Sequence, residues 1–171
     1  MRRWQALGGA FVPEDRKDEG LFLGHSVGQN IVAALHAGRP ALAVAGRYGA
    51  VIVETMRRLN VKASGPSAQV GALSGGNQQK VLLGRYLATD ADLLLIEEPT
   101  RGVDIGAKAE IYRILRDFAK AGGAVLVLSR ETVELIGLCD RLYVIHGNTA
   151  VSEMRAADAT EHGILDAALS A

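Results

Sequence analysis

The 171-residue chain has one cysteine, four prolines and few aromatics: one tryptophan, four tyrosines and three phenylalanines. Cys139 has no partner for an intramolecular disulfide, which excludes a disulfide-stapled fold and fits a reducing cytoplasm. Set between Leu138 and Asp140, it reads as a small packed side chain. Charge of one sign is also missing, since nineteen basic residues balance nineteen acidic ones. The lack of a basic field to neutralise many phosphates argues against a dedicated nucleic-acid binder; the Arg2-Arg3 and Arg16-Lys17 pairs are too short to change that. No apolar run approaches the roughly 18 residues of a spanning helix. The start, MRRW followed by Gly8-Gly9, does not read as a signal peptide. Any membrane contact is expected through a partner.

What is present is an apolar fraction of 49%, rich in Ala, Leu, Val and Gly, as in α/β enzymes. Residues 10–12 read as a strand stopped by Pro13, and 14–20 (EDRKDEG) as a charged loop. Ser26 is placed to cap a helix through Val27, Ile31 and Leu35. Residues 38–46 read as a connector. From 47 to 60, Ile52, Met56 and Leu59 form one apolar stripe with Arg57 and Arg58 outward. A linker at 60–72 leads to a helix over 78–88.

Beyond it, 92–96 is a nearly continuous apolar run, the pattern of a parallel strand covered on both faces. Asp104 can cap a helix whose Ile111, Ile114, Leu115 and Phe118 fall at i, i+3, i+4 and i+7. Gly122-Gly123 ends it, and 124–128 reads as a second buried strand. A short helix over 131–138 follows, then a strand over 142–145, a Gly147-Asn148 turn and a returning strand over 150–153. The last helix spans 161–169. Alternating strands and helices predict a parallel α/β sheet flanked by helices.

Two stretches carry chemistry. Ser74-Gly75-Gly76 stands directly before a helix, where small residues let a ligand approach and unpaired N–H groups carry about half a positive charge. Taken alone, this is equally a capped helix after a turn. Glu97-Glu98 ends the run Leu93-Leu94-Leu95-Ile96, so both carboxylates emerge at a strand's C-terminal edge, where open α/β sheets bind ligands. An acidic pair there is otherwise a solvated strand end. The four histidines, His25, His36, His146 and His162, are scattered without metal-ligand spacing and read as solvated.

With Asn77-Gln78-Gln79-Lys80 attached, the first stretch resembles the signature loop of ATP-binding-cassette (ABC) ATPases, and LLLIEEPT (93–100) resembles their Walker B strand. TRGVDIGAK (100–108) resembles the D-loop region of the second nucleotide-binding domain of bacterial simple-sugar importers. VPEDRK (12–17) and Glu110-Ile111-Tyr112 match the same branch. So does Glu131, where most of the family carries a switch histidine. The resemblance covers residues 11–169.

It implies a P-loop NTPase-type α/β domain, with a helical signature subdomain over about 21–90 and the RecA-like core over 1–20 and 91–171. It implies ATP and Mg²⁺ as ligands, and in-trans nucleotide contacts from Ser74, Gly75, Gly76 and Gln78. Glu98 is the implied catalytic acid, Asp104 the D-loop residue and Glu131 the switch position. Glu97 stands where the family places an Asp that holds Mg²⁺. The extra methylene displaces its carboxylate by about 1.5 Å, which weakens that site, because Mg²⁺ demands near-ideal geometry.

The family's phosphate loop, G-x-x-x-x-G-K-[S/T], is not found in these residues: none of the twenty glycines precedes a lysine. The expectation is a partial domain, the Walker A portion lying outside it, that neither binds ATP tightly nor turns it over alone. The surface such a portion covers is then expected to be exposed and apolar. The implied partners are another nucleotide-binding domain, transmembrane permease subunits and, indirectly, a solute-binding protein. The implied place is the cytoplasmic face of the membrane. Three readings follow: an importer ATPase subunit, a non-hydrolytic module lending its signature face to a partner, and a DNA-repair or chromosome ATPase. TRGVD, VPEDRK and the neutral charge disfavour the last.

Overall fold

A computed structural model describes residues 7–36 and 48–170; the expected connector over 38–46 and the Arg47 start of the next helix lie outside them. The chain forms two compact units, Met1–Leu126 and Val127–Ala171.

In the first unit, β1 (Gly9–Val12) pairs in parallel with β2 (Leu93–Glu97), Gly9 opposite Leu93 and Val12 opposite Ile96. The order of the sheet is β1-β2-β3, with β3 spanning Ala124–Leu128. Its start is fixed by the Ala124 N–H, which donates to the Asp92 carbonyl at 2.8 Å. After β1, residues 14–20 are not an open loop. The Asp15 carboxylate accepts from the Lys17 and Asp18 N–H groups, and Arg16–Gly20 closes as one π-helical turn. Sequence alone missed it because a run of mixed charge looks solvated whether or not its backbone is hydrogen-bonded.

Helix α1 (Val27–Val32) opens with a capping box: Ser26 Oγ accepts from the Gln29 N–H, and Gln29 Oε1 accepts from the Ser26 N–H. It tightens into a 3₁₀ turn over Ala33–His36. Helix α2 is Gly49–Arg58, with Arg57 turned outward onto Glu54 as expected. Helix α3 is Gly75–Leu87, beginning three residues before the expected start. Helix α4 is Ile105–Lys120 and buries Ile111, Ile114, Leu115 and Phe118. Val12, Val27, Ile31, Val81, Leu82, Leu83, Leu94, Ile96 and Ile111 are fully buried and form the unit's core.

The second unit holds α5 (Thr132–Leu138), the antiparallel hairpin β4 (Arg141–His146) and β5 (Thr149–Arg155), and α6 (Glu161–Leu169). Gly147 and Asn148 both take positive φ, 54° and 63°, the twist a two-residue hairpin turn requires. Cys139 is half-buried and its thiol is pushed up by that burial, as a packed and unreactive side chain would be.

Strand burial departs from expectation. β2 buries Leu94 and Ile96 completely but leaves Leu93 and Leu95 half-covered. β3, expected to be buried, is fully buried on neither face: Val125 and Val127 are half-covered, and Leu126 and Leu128 are 53% and 45% exposed. A continuous apolar run makes both faces fit for burial without supplying what covers them. No described helix is long and apolar enough to cross a membrane.

Candidate functional site

The start of α3 is built for contact rather than for self-sufficiency. Ser74 sits at the N-cap with extended backbone, and its carbonyl accepts from the Gln78 N–H at 2.9 Å. Its side chain caps none of the helix's N–H groups; Ser74 Oγ accepts instead from Asn77 Nδ2 at 2.9 Å. Asn77 Oδ1 in turn accepts from the Lys62 N–H at 2.7 Å. Gly75, Gly76 and Asn77 are thus first-turn donors with neither a helical acceptor nor a cap from Ser74. An anion satisfies such donors and is favoured by the helix dipole.

Both glycines are needed for close approach. A methyl group on Gly75 would fall 2.8 Å from Arg16 Nη2 and 2.8 Å from the Gly102 carbonyl oxygen. One on Gly76 would fall 2.4 Å from Ala107 Cβ. The first turn of α3 therefore lies directly against loop 101–104 and the start of α4. Gln78 is buried; its Nε2 donates to the Val70 carbonyl at 3.3 Å, and its Oε1 accepts from Arg16 Nε at 3.4 Å.

Glu97 ends β2 half-buried, and Glu98 follows at φ 44°. That left-handed backbone is uncommon for a side-chain-bearing residue and concentrates at functional sites. It breaks the strand's alternation and turns the chain into the loop, where the Arg101 N–H donates to the Glu98 carbonyl at 3.1 Å. Pro99 and Thr100 beneath are buried. Gly102 takes φ 64°, and Arg101 forms an ion pair with Glu14. Asp104 closes the loop: its Oδ1 accepts from the Ala107 N–H at 2.9 Å and caps α4.

Of the residues singled out by sequence, Ser74, Gly75, Gly76, Gln78 and Asp104 thus gather at one place. Glu97 and Glu98 stand at the head of the loop that reaches it. Glu131 belongs to the other unit, where it takes the N-cap position of α5 and its N–H donates to Ser129 Oγ at 3.1 Å. Among the described residues, no three His, Cys, Asp or Glu side chains converge as a metal site. His25, His146 and His162 are exposed, and His162 lies 3.3 Å from Asp166.

Sequence reasoning missed the charged residues that hold this arrangement. Lys80, only 3% exposed along its side chain, donates to Glu110 and to the Asn60 carbonyl, and this bond holds the Glu110 carboxyl below its ordinary range. Arg85 is buried, donating from Nε to the Asn30 carbonyl at 2.9 Å, from Nη2 to Asn30 Oδ1 at 2.7 Å and from Nη1 to the Gly20 carbonyl, with Phe22 over its face. Burial pushes its pKa down. The available signal was spacing: Gln78, Val81, Leu82 and Arg85 fall on one helical stripe, which placed two polar residues among apolar ones. An open concavity of about 440 Å³, lined by Arg57, Arg58, Leu59, Asn60, Arg113, Ile114 and Asp117, contains none of the site's residues.

Comparisons with known proteins bear on this geometry. The family model described as ABC transporter matches residues 10–101. The ribose import ATP-binding protein RbsA of Ruegeria sp. is 46% identical over 159 residues, 91% of this chain and 31% of that protein. Its namesake in Shigella dysenteriae is 39% identical over 161 residues, 93% and 31% of the two chains. The chain thus spans about a third of the length of these curated relatives. Among solved structures, a nucleotide-free ATP-binding cassette from an ABC transporter superposes with a TM-score of 0.75 at 18% identity, covering 99% of this chain and 67% of that one. That likeness concerns the fold.

Proposed function

The chain belongs to the ABC transporter family, and from that premise we propose that it is part of an importer's ATP-binding subunit, coupling ATP hydrolysis to uptake of a simple sugar or related small solute. The names of its relatives, ribose import ATP-binding proteins, support the solute class. Uptake belongs to the whole protein acting with another nucleotide-binding domain, permease subunits and, through them, a solute-binding protein. The chain then works on the cytoplasmic face of the membrane. Residues of about 21–90 form the helical signature subdomain, and 1–20 and 91–171 belong to the RecA-like core.

One observation carries this reading: the uncapped first turn of α3, with Ser74 and the Gly75, Gly76 and Asn77 amides turned to no helical acceptor. These donors fit a phosphate. In the proposed mechanism they close on the terminal phosphate of an ATP held by the partner domain. Negative charge gathers there as the phosphoryl group transfers, and fixed donors strengthen with it. Gln78, buried and tied to Arg16, holds the turn rather than the nucleotide. Glu98 serves the other nucleotide site, the one gripped by the phosphate loop of its own domain, where it orients the attacking water and takes its proton, with its backbone held out of strand geometry. Asp104 fixes the loop between acid and signature.

Mg²⁺ bound with the nucleotide neutralises phosphate charge. Among the described residues Glu97, the carboxylate that would hold it, is not joined by two further His, Cys, Asp or Glu side chains.

The test uses the full-length protein assembled with its permease in vesicles. Glu98→Gln is expected to lower ATP hydrolysis and sugar uptake together by about 10²-fold or more while nucleotide still binds. Hydrolysis at the wild-type rate in that variant would remove the proposed catalytic role. A second reading, a non-hydrolytic module lending its signature face, is favoured by the Glu97 position. It predicts activity that survives Glu98→Gln and is lost on altering Ser74.

A further inference from the structure

One guanidinium joins three segments of the first unit. Arg16 Nη1 donates to the Arg101 carbonyl at 2.6 Å, Nη2 to the Gly102 carbonyl at 3.3 Å and Nε to Gln78 Oε1 at 3.4 Å. The arginine itself is anchored, because Asp15 caps the turn that begins at Arg16. Its outer end touches the site directly: the position a Gly75 methyl would occupy is 2.8 Å from both Arg16 Nη2 and the Gly102 oxygen. The far end of the same turn is held too, by Arg85 on the Gly20 carbonyl, so residues 16–20 are fastened to α3 near both of its ends.

A planar fork with its charge always present suits two loop carbonyls and an amide oxygen at once; an ammonium, a point charge with diverging donors, does not. Loop 101–104 begins just past Glu98, and Gly75 and Gly76 lie close against it. Arg16 is hydrogen-bonded both to that loop's backbone and to α3.

We infer that Arg16 is a positioning residue that keeps the phosphate-facing amides of α3 in fixed relation to the loop leaving Glu98. The inference rests on the proposed ATPase function and deepens it. Removing the fork lets the loop and the first turn of α3 move independently. The amides then miss the position where transition-state charge develops, although every group that would touch nucleotide is still present. A displacement of about 1 Å can cost about 10²-fold in rate.

The experiment compares wild type, Arg16→Ala, Arg16→Lys and Glu98→Gln in the full-length protein assembled with its permease. Arg16→Ala is expected to lower kcat for ATP hydrolysis by about tenfold or more, with little change in KM or melting temperature. Millimolar guanidinium restores part of that loss and does not raise wild-type activity; Arg16→Lys stays low. Without nucleotide, amide hydrogen exchange in Arg16→Ala rises together at 75–77 and at 101–103. A kcat near the wild-type value would overturn the inference. So would a loss that follows unfolded protein and ignores guanidinium, or exchange that rises in only one segment. If Arg16→Ala does not fold, Arg16→Gln is read in the same way. Wild-type hydrolysis indifferent to Glu98→Gln sinks the transporter reading instead, while the exchange result still decides whether Arg16 couples the two segments.

Discussion

Helices α3 and α4 start beside each other, each after a residue able to cap, and they treat that residue differently. Asp104 takes the Ala107 N–H and closes α4 from within. Ser74 takes the Asn77 side chain and leaves the first turn of α3 open. Their bodies differ in the opposite sense. α4 buries a single stripe, whereas α3 buries Gly76 and every residue from Gln78 to Arg85. An absent cap costs about 1 kcal/mol, and α3 can carry that cost because Lys80 and Arg85 fasten its body. A helix stabilised along its length can leave its end to a ligand, whereas one held by a single face must close its own end. Such a departure from local rules is where function is expected.

The largest effect expected within this comparison comes from removing the contact between the two starts. In Gly76→Ala the new methyl meets Ala107 Cβ at 2.4 Å. Denaturant unfolding should show a loss of about 1–3 kcal/mol, and a loss below about 0.5 kcal/mol would mean the helices do not touch there. Next comes Asp104→Ala, expected to lose about 1 kcal/mol; an unchanged stability would place the closure of α4 elsewhere.

A smaller effect is set by pH through the Lys80–Glu110 bond between the two helices. The Glu110 carboxyl is held below its ordinary 4.5, chiefly by the Lys80 hydrogen bond. Its contribution is therefore complete above that value and is lost as pH falls through the lower folded value. With 28% of the Glu110 side chain in solvent, screening keeps the effect modest. Melting temperature should fall more steeply on acidification in wild type than in Glu110→Gln, and parallel slopes would contradict the assignment. Smallest in stability is Ser74→Ala, expected within about 0.5 kcal/mol of wild type even as turnover drops. A full capping penalty there would erase the difference between the helices.

How much of this was legible in the sequence follows the same division. The Asp104 cap and the Ile111/Ile114/Leu115/Phe118 stripe were readable because periodicity and capping are local. So was the hairpin at Gly147-Asn148, where two adjacent positive φ angles favour these residue types. The exposure of β3 was not, since a run of apolar residues does not say what packs on it. Nor was the role of Arg16, which sits in a mixed-charge run and acts on Arg101, Gly102 and Gln78, all more than sixty positions away. The left-handed backbone at Glu98 has no signal in its residue type. The signature and acid-pair motifs were plain as motifs, but their close joining through loop 101–104 and Arg16 is tertiary.

The central claim, that the open start of α3 receives a phosphate, is tested most directly by amide hydrogen exchange on the full-length Glu98→Gln complex with and without Mg-ATP. The prediction is a nucleotide-dependent slowing at Gly75, Gly76 and Asn77, with none at Ala107, whose N–H Asp104 already takes. Exchange at Gly75, Gly76 and Asn77 that is indifferent to bound nucleotide would contradict it.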